Sequence, residues 1–518
     1  MIETAPAPAA TAPPRAQPPS PAPPATPADR AAVYGALGWG AVLVWQLALS
    51  RVVLRSAGDE AWGLWATIAA FKSFVLFVDG GLAQGIARDA GREFAEGAPA
   101  RLRIRAAWRL DAVAAAAALL VAAVLAPWAA GYLGLRGNVA AIAPALVLVH
   151  GVDAALSLLA GPLPALLRGR RWFGVLALGN LAQALLGIAL LCWLAPAHGA
   201  LGAAAAVVAT RAAVAVCTWR WLRRQDMAVR SVHGDGASTA AARRAMFAAV
   251  VPIWAMIAAT QLAMRADVPI VGWFFGAVAA GHYELGQQLP FAAMSLLGAV
   301  MAFALPRFVR DHAAGDEQAL HRQLPRVVFM ACLLAGLGFS VLAMMASDVL
   351  TLWVGIAPPQ AVATARLYAA AWACNAAVHV LVQVAIAHGR FALLLRQSIA
   401  ASLANFALSV VLAACGRVDG PAWATFVTMA VCDLVIVPIL LVRSLRLPGS
   451  AVARGALSGW LLGGVLALGV TTASTGLANG ALSRVLLACL LVFAVAGVVL
   501  DLTVRRRSTL RAFCQRWH

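Results

Sequence analysis

Apolar residues run through this chain in long blocks. From Val33 onward fourteen stretches are long and apolar enough to be membrane helices, each near the ~20 residues a bilayer requires. They cover about 33–57, 61–87, 110–132, 139–166, 173–194, 200–221, 246–276, 282–306, 327–352, 363–387, 397–414, 421–442, 455–475 and 484–503, and are called spans 1 to 14 below. Ala and Gly are abundant in them, as expected where helices in lipid associate by close packing. The 1–30 segment breaks the pattern: it is almost entirely Ala, Pro and Thr, too poor in apolar anchors to fold, and predicts a disordered cytoplasmic tail. It lacks the basic start, short apolar run and cleavage site of a signal peptide.

The polar positions between the spans fall into two alternating sets. One is rich in arginine: 88–109, 167–172, 220–245, 307–326, 388–396, 443–454 and the tail after Arg505. The other carries almost none, with Arg136 and Arg417 the main exceptions. This alternation is the positive-inside bias, and with an even number of spans it predicts both termini in the cytoplasm. Motifs also recur at a spacing of about 218–222 residues: Arg88-Asp89 with Arg310-Asp311, Gly134 with Gly355, Gly169-Arg170 with Gly389-Arg390, Gln183 with Asn405, and Gly202 with Gly420. Five matches in order imply a duplication. Each copy holds six spans, so both insert the same way up, related by an axis along the membrane normal, with a substrate site expected between them. The predicted architecture is an all-α membrane protein of about fourteen helices. A six-helix bundle spans 31–245, a second 246–450, two further helices 451–504, and a basic cytoplasmic tail 505–518.

Composition narrows the function. The chain has 518 residues, of which 62% are hydrophobic and 12% charged, about half the charge of a soluble protein. The formal net charge of +19 does not imply nucleic acid, because the arginines sit in short clusters between apolar stretches; Lys72 is the only lysine. The eight cysteines form no CxxC pair or zinc-like spacing and read as small packing residues in helices. No GxxxxGK loop suggests nucleotide hydrolysis, no nucleophile or metal constellation is present, and no enzymatic role or cofactor is expected.

Three segments carry a family resemblance. "FVLFVDGGLAQGIARDA" (Phe74 to Ala90) places Asp-Gly-Gly-Leu at the end of span 2. "RADVPIVGWFFGAVAAGHYELGQQL" (Arg265 to Leu289) is followed by "ALPRF" (Ala304 to Phe308), with Asp in span 7, Gly-x-Tyr, and Pro closing span 8. "GRRWFGVLALGN" and "HGALGAA" follow in the first half. Over roughly 33–503 the chain resembles the polysaccharide transporter branch (O-antigen and exopolysaccharide flippases) of the multidrug/oligosaccharidyl-lipid/polysaccharide exporter superfamily. The resemblance implies a flippase for undecaprenyl-pyrophosphate-linked oligosaccharide in the bacterial inner membrane, serving O-antigen, lipopolysaccharide, capsule or exopolysaccharide synthesis. Polymerase and glycosyltransferase partners would accompany it, and spans 13–14 would shape a groove for the polyprenyl tail, as in lipid II flippases.

Ionisable residues inside the spans are the candidate site, since each costs roughly 2.5–3.5 kcal/mol on insertion scales and is kept for a reason. They are Arg51 in span 1, Lys72 in span 2, Arg211 in span 6, Arg265 and Asp267 in span 7, and Arg366 in span 10, with Asp79, Asp267 and Glu284 as candidates for ion coupling. Cations predominate, which suits pyrophosphate, because guanidinium donates paired hydrogen bonds to phosphate oxygens. Pro269 removes a helical amide and presses on the carbonyl of Arg265, so span 7 is expected to open there. Arg265 and Asp267 lie about 200° apart on a regular helix, and that opening would turn both toward a central cavity. Lys72 either pairs with a carboxylate or meets an anionic substrate. His150, Asp153 and His379 read as satisfied polar residues between helices.

The leading expectation is therefore alternating access of a lipid-linked oligosaccharide around a cationic cavity. One rival is a multidrug or cation antiporter of the same superfamily, whose cavity would be acidic. Another is a membrane-embedded glycosyltransferase, which would need a larger outward loop than any here.

Overall fold

The computed structural model describes residues 28–96, 101–224, 251, 254–301, 308 and 316–496. Both predicted tails, 1–30 for all but its last residues and 505–518, lie outside the described residues. Among those described the chain is all α-helix, and nine helices are long and apolar enough to cross a membrane. Two of the nine, Val33–Val75 and Phe173–Arg224, double back at a glycine, Gly58 and Gly199, and so hold spans 1–2 and 5–6. Spans 7 and 8 are formed by residues 254–265 with Asp267–Phe275 and by Ala277–Met301. Span 14 is represented by Ala481–Ala496. The chain is a multi-pass membrane protein.

The duplication is written into the backbone. Gly58 turns span 1 into span 2 at φ 82°, ψ 175°, and Gly276 turns span 7 into span 8 at φ 85°, ψ 178°. Such a left-handed extended conformation is essentially restricted to glycine. The same spacing of about 218 residues relates Gly202 to Gly420: a methyl group on either would press on Leu194 or Leu412, in the helix just before it. One register differs from the sequence alignment. The residue matching Gly389 (φ 67°) is Arg171 (φ 59°), not Gly169. Both close a helix with the same pair of bonds, Arg171 N to Arg168 O and Trp172 N to Leu167 O, against Gly389 N to Ile386 O and Arg390 N to Ala385 O. Conformation is conserved there and residue type is not.

Span 2 is shorter than expected. It ends at Val75, and after a turn at Leu76 a separate helix, Phe77–Glu96, follows. That helix carries Asp79, Arg88, Asp89, Arg92, Glu93 and Glu96, too many charges to stay in hydrocarbon. It packs on the helix Pro162–Gly169, around Leu82, Ile86, Leu163 and Leu166.

The loops joining spans 1–2, 3–4, 5–6, 7–8, 9–10 and 11–12 each contain a left-handed glycine, which defines a glycine-turn side opposite the arginine-rich side. The two halves meet through spans 1 and 2, which pack on spans 7 and 8 and on the short helix Ala346–Val354. Small residues permit the closest approach. A methyl on Gly63 would run into the carbonyl of Ala277, and one on Gly281 would lie 2.9–3.1 Å from Trp62 and the Gly63 backbone. Trp62 Nε1 donates to Gly281 O at 3.0 Å across this seam. Span 13, Gly449–Leu477, lies outside the duplicated halves and packs on Glu317–Met344, its Gly455, Gly459 and Gly463 against that helix's backbone.

Candidate functional site

Among the described residues three clusters of polar groups stand out inside the spans, one in each half and one between. In the first half Asp153 of span 4 is the hub. Its Oδ2 lies 2.7 Å from Lys72 Nζ and its Oδ1 2.6 Å from Arg211 Nε. The aspartate side chain is 2% exposed, the lysine 18% and the arginine 27%. These positions lie about 20 Å along their helices from the glycine turns, deep in the membrane. One carboxylate thus answers two cations, and the cluster keeps a net positive charge. Lys72 has a carboxylate partner, and Asp153 has a larger part than its sequence reading. Trp65 stacks edge-on against His150 one turn away.

In the second half Asp267 is fully buried and accepts four hydroxyl hydrogen bonds. Tyr283, Tyr368 and Thr425 donate to Oδ2 at 2.9, 2.8 and 3.1 Å, and Ser409 donates to Oδ1 at 2.8 Å. The donors come from spans 8, 10, 11 and 12, so one carboxylate gathers the half-bundle. No arginine or lysine among the described residues pairs with it. Span 7 does open where Pro269 demands: the helix breaks at Ala266 and restarts at Asp267. The break separates Arg265 from Asp267 instead of turning both into a common cavity. Asp267 faces the second half's interior, and Arg265 turns to span 8.

Arg265 belongs to the third cluster. Its Nη1 is 3.6 Å from Glu284 Oε1 and its guanidinium lies over the ring of Phe291, 5.2 Å from the centroid. Glu284 also accepts from Gln288 at 3.0 Å and from Gln287. Ser50 of span 1 donates to Gln288 Oε1 at 2.8 Å, which carries the chain across to the first half. Glu284 is buried inside this network. Arg265 keeps 33% of its side chain exposed.

Arg51 is placed differently from the other cations. Its Nη1 donates to the carbonyls of Leu352 and Trp353 at 2.8 and 2.7 Å. These belong to the last turn of Ala346–Val354, where carbonyls lack helical partners and the helix dipole favours a cation. Trp353 Nε1 returns a bond to Leu47 O at 2.8 Å. Arg51 thus latches span 1 to the second half. Tyr132 donating to Pro269 O at 2.8 Å and His282 lying 3.4 Å from Asp59 cross the halves nearby. All these crossings lie within about 18 Å, along their helices, of the glycine turns. Arg366 caps another helix end, donating to Ala343 O at 3.2 Å from an exposed position. Asp79 falls near the start of Phe77–Glu96, and its side chain lies outside the described residues.

Sequence reasoning did not single out Tyr368, Ser409 or Thr425, and it read Asp153 only as a satisfied polar residue and Tyr283 only as part of a motif. A signal for the tyrosines existed: the chain has only four, and two of them lie within apolar spans, where both are fully buried.

No protein-family model and no curated protein sequence matches the chain. Solved structures do. A structure of the lipid II flippase MurJ in an inward closed conformation superposes with a TM-score of 0.65, at 12% identity, covering 91% of this chain and 99% of that one. The chain has the fold of a lipid II flippase. An inward-facing MATE-family multidrug resistance transporter of the MOP superfamily, also at 0.65 and 12% identity, covers 83% of this chain and 95% of its own. A mutant of the Vibrio cholerae MATE transporter VcmN gives 0.59 at 16% identity, covering 81% and 96%.

Proposed function

We propose that the protein is a flippase that moves undecaprenyl-pyrophosphate-linked oligosaccharide across the inner membrane by alternating access, with both termini in the cytoplasm. One observation carries the reading. Lys72 and Arg211 place two partly exposed positive charges in the first half against one carboxylate, Asp153, between them. A surplus of cation in a low-dielectric interior is costly unless an anion comes to it. A diphosphate headgroup meets that need, with its polyprenyl tail left in lipid.

In this reading Lys72, Arg211 and Arg265, all partly exposed, receive the diphosphate. Arg51 and Arg366 act on helix ends. Asp267 is the coupling carboxylate: it has hydroxyl donors and no cationic partner among the described residues, so it can exchange a proton or cation as the halves move. The polymerase and glycosyltransferases of the same glycan are the expected partners. The fold shared with a lipid II flippase supports a lipid-linked cargo.

The test is polysaccharide export in a strain deleted for the chromosomal copy. Lys72→Ala, Arg211→Ala and Arg265→Ala are expected to abolish export at normal protein levels, and normal export in all three would refute the proposal. A second reading, a multidrug or cation antiporter, is favoured by Asp267, an acid with no cationic partner among the described residues, and by the fold shared with MATE transporters. Under it, expression raises resistance to cationic drugs; under the flippase reading resistance does not change.

A further inference from the structure

A cleft of about 450 Å³ opens on the glycine-turn side, between the end of span 3 and the end of span 7. That volume lies in the ~300–1,000 Å³ range of small-ligand pockets. The cleft sits on the seam between the halves, apart from the three polar clusters, and none of its lining residues is charged.

Its walls are aromatic. Tyr132, Trp273 and Phe275 line it. The Tyr132 and Trp273 rings lie 5.1 Å apart at 48°, and Phe71 of span 2 meets Tyr132 edge-on at 5.9 Å. Aromatic residues at a membrane boundary commonly anchor a helix, with the polar end turned to water. Tyr132 does otherwise: its hydroxyl donates to Pro269 O across the seam at 2.8 Å, which fixes the ring as a wall. Trp273 stands about 5 Å along span 7 from the Gly276 turn. It is 61% exposed, and nothing among the described residues accepts from its Nε1.

The rest of the lining is largely bare backbone, from Gly131, Gly134, Gly272 and Gly276. Three of these glycines have a structural reason. Gly134 and Gly276 turn the chain at positive φ, and a methyl on Gly272 would lie 2.8 Å from Leu133 Cδ2. Gly131 has none. It sits in the helix Ala129–Tyr132 with an ordinary negative φ, and a Cβ there would meet nothing within 4 Å. Glycine is a poorer helix former than alanine, so neither packing nor conformation accounts for it. What its missing side chain leaves is room in the cleft.

We propose that this cleft holds a sugar ring of the cargo, stacked on Trp273 and Tyr132. The faces of aromatic rings carry partial negative charge, and the axial C–H groups of a pyranose present the matching partial positive charge. Its hydroxyls meet the indole N–H and the exposed backbone of the glycine turns. A lipid chain would use the rings and leave that backbone unsatisfied. A free phosphate would find no cation. The proposal rests on the flippase reading, in which the glycine-turn side faces outward and the glycan emerges there.

The experiment uses purified full-length protein in lipid nanodiscs, with empty nanodiscs as the blank. Saturation-transfer NMR follows titration with the methyl glycosides of glucose, galactose, N-acetylglucosamine and rhamnose. Mannitol, which has hydroxyls and no ring face, is the control, and tetramethylammonium chloride probes for a cationic occupant. Saturable binding of at least one glycoside is expected, with none of mannitol and with transfer concentrated on the C–H protons of one ring face. Trp273→Leu should weaken it at least tenfold, and Trp273→Phe, which keeps a ring, should retain binding within fivefold. Gly131→Leu fills open space without pressing on the protein and should weaken binding at least fivefold; it serves if Trp273→Leu does not fold. Absence of saturable binding by all four glycosides overturns the proposal, and so does binding unchanged in Trp273→Leu or in Gly131→Leu. Tetramethylammonium binding that depends on Trp273, without glycoside binding, overturns it in favour of a cationic drug. Export lost in Lys72→Ala, Arg211→Ala and Arg265→Ala with no glycoside bound removes the sugar site and leaves the flippase reading. Glycoside binding at the cleft with normal export in those three variants removes the flippase reading and leaves the sugar site.

Discussion

Replacing Arg51 by alanine should unlatch the glycine-turn side. The guanidinium makes two charge-assisted bonds, at 2.8 and 2.7 Å, to the end of a helix in the opposite half. Bonds to a charged donor contribute about 1.5–3 kcal/mol each, and a cation at a helix C-terminus adds up to about 1 kcal/mol. Arg51 is only half-buried, and water replaces part of this when the side chain is removed. A net loss of about 3 kcal/mol is the working value, a factor of about 150 in the closed-to-open ratio. A population ~99% closed would then fall to roughly 40% closed. Trp353→Phe, which removes one neutral bond to Leu47 O, should shift the ratio only about fivefold. Spin labels at Asn138 and Ile356, exposed positions on either half of that side, report the change by pulsed EPR in nanodiscs. Arg51→Ala should add a longer-distance population that exceeds the one seen in Trp353→Phe. An unchanged distance distribution in Arg51→Ala would show that the two carbonyl bonds do not hold the halves closed.

Three further outcomes are expected. Asp153→Ala leaves Lys72 and Arg211 facing each other without their counter-charge and should destabilise the protein by about 3–5 kcal/mol, whereas Lys72→Met leaves a neutral Arg211–Asp153 pair and should cost far less; melting of purified protein in detergent separates the two. Gly281→Ala forces a methyl against Trp62 and the Gly63 backbone and should cost about 1–3 kcal/mol by overpacking, read as a lower melting temperature and faster thiol labelling at Asn138→Cys. Tyr368→Phe removes one of four donors to Asp267; it should leave the fold intact, slow export and cost about 1–3 kcal/mol, while normal export rates and an unchanged melting temperature would deny the cage any role.

What the sequence made legible was whatever repeats or has a length. The spans, the duplication and the break at Pro269 follow from periodicity, constant spacing and one missing amide. The left-handed turn at Arg171 escaped because its match in the second copy is a glycine and conformation leaves no mark on residue type. The partners of the charges escaped for a different reason. Lys72, Asp153 and Arg211 lie on three separate spans, and no local pattern links them. Arg51 binds two carbonyls about 300 residues away, and a backbone carbonyl looks the same at every position. The Asp267 cage is built from hydroxyls that elsewhere on membrane helices bond back to their own backbone, as Ser56 and Thr260 do here.

The crossing of Gly63 and Gly281 has a mechanical meaning. The helices touch there through backbone, and the one large side chain in the contact, Trp62, is fully buried and held by its bond to Gly281 O, so that point has little room to yield by changing a rotamer. It can serve as a fulcrum. A few degrees of rolling at this bearing would swing the far ends of both six-helix levers through several ångströms, and widening one mouth would narrow the other. A bulky residue at either glycine would seize the bearing without altering a single charge.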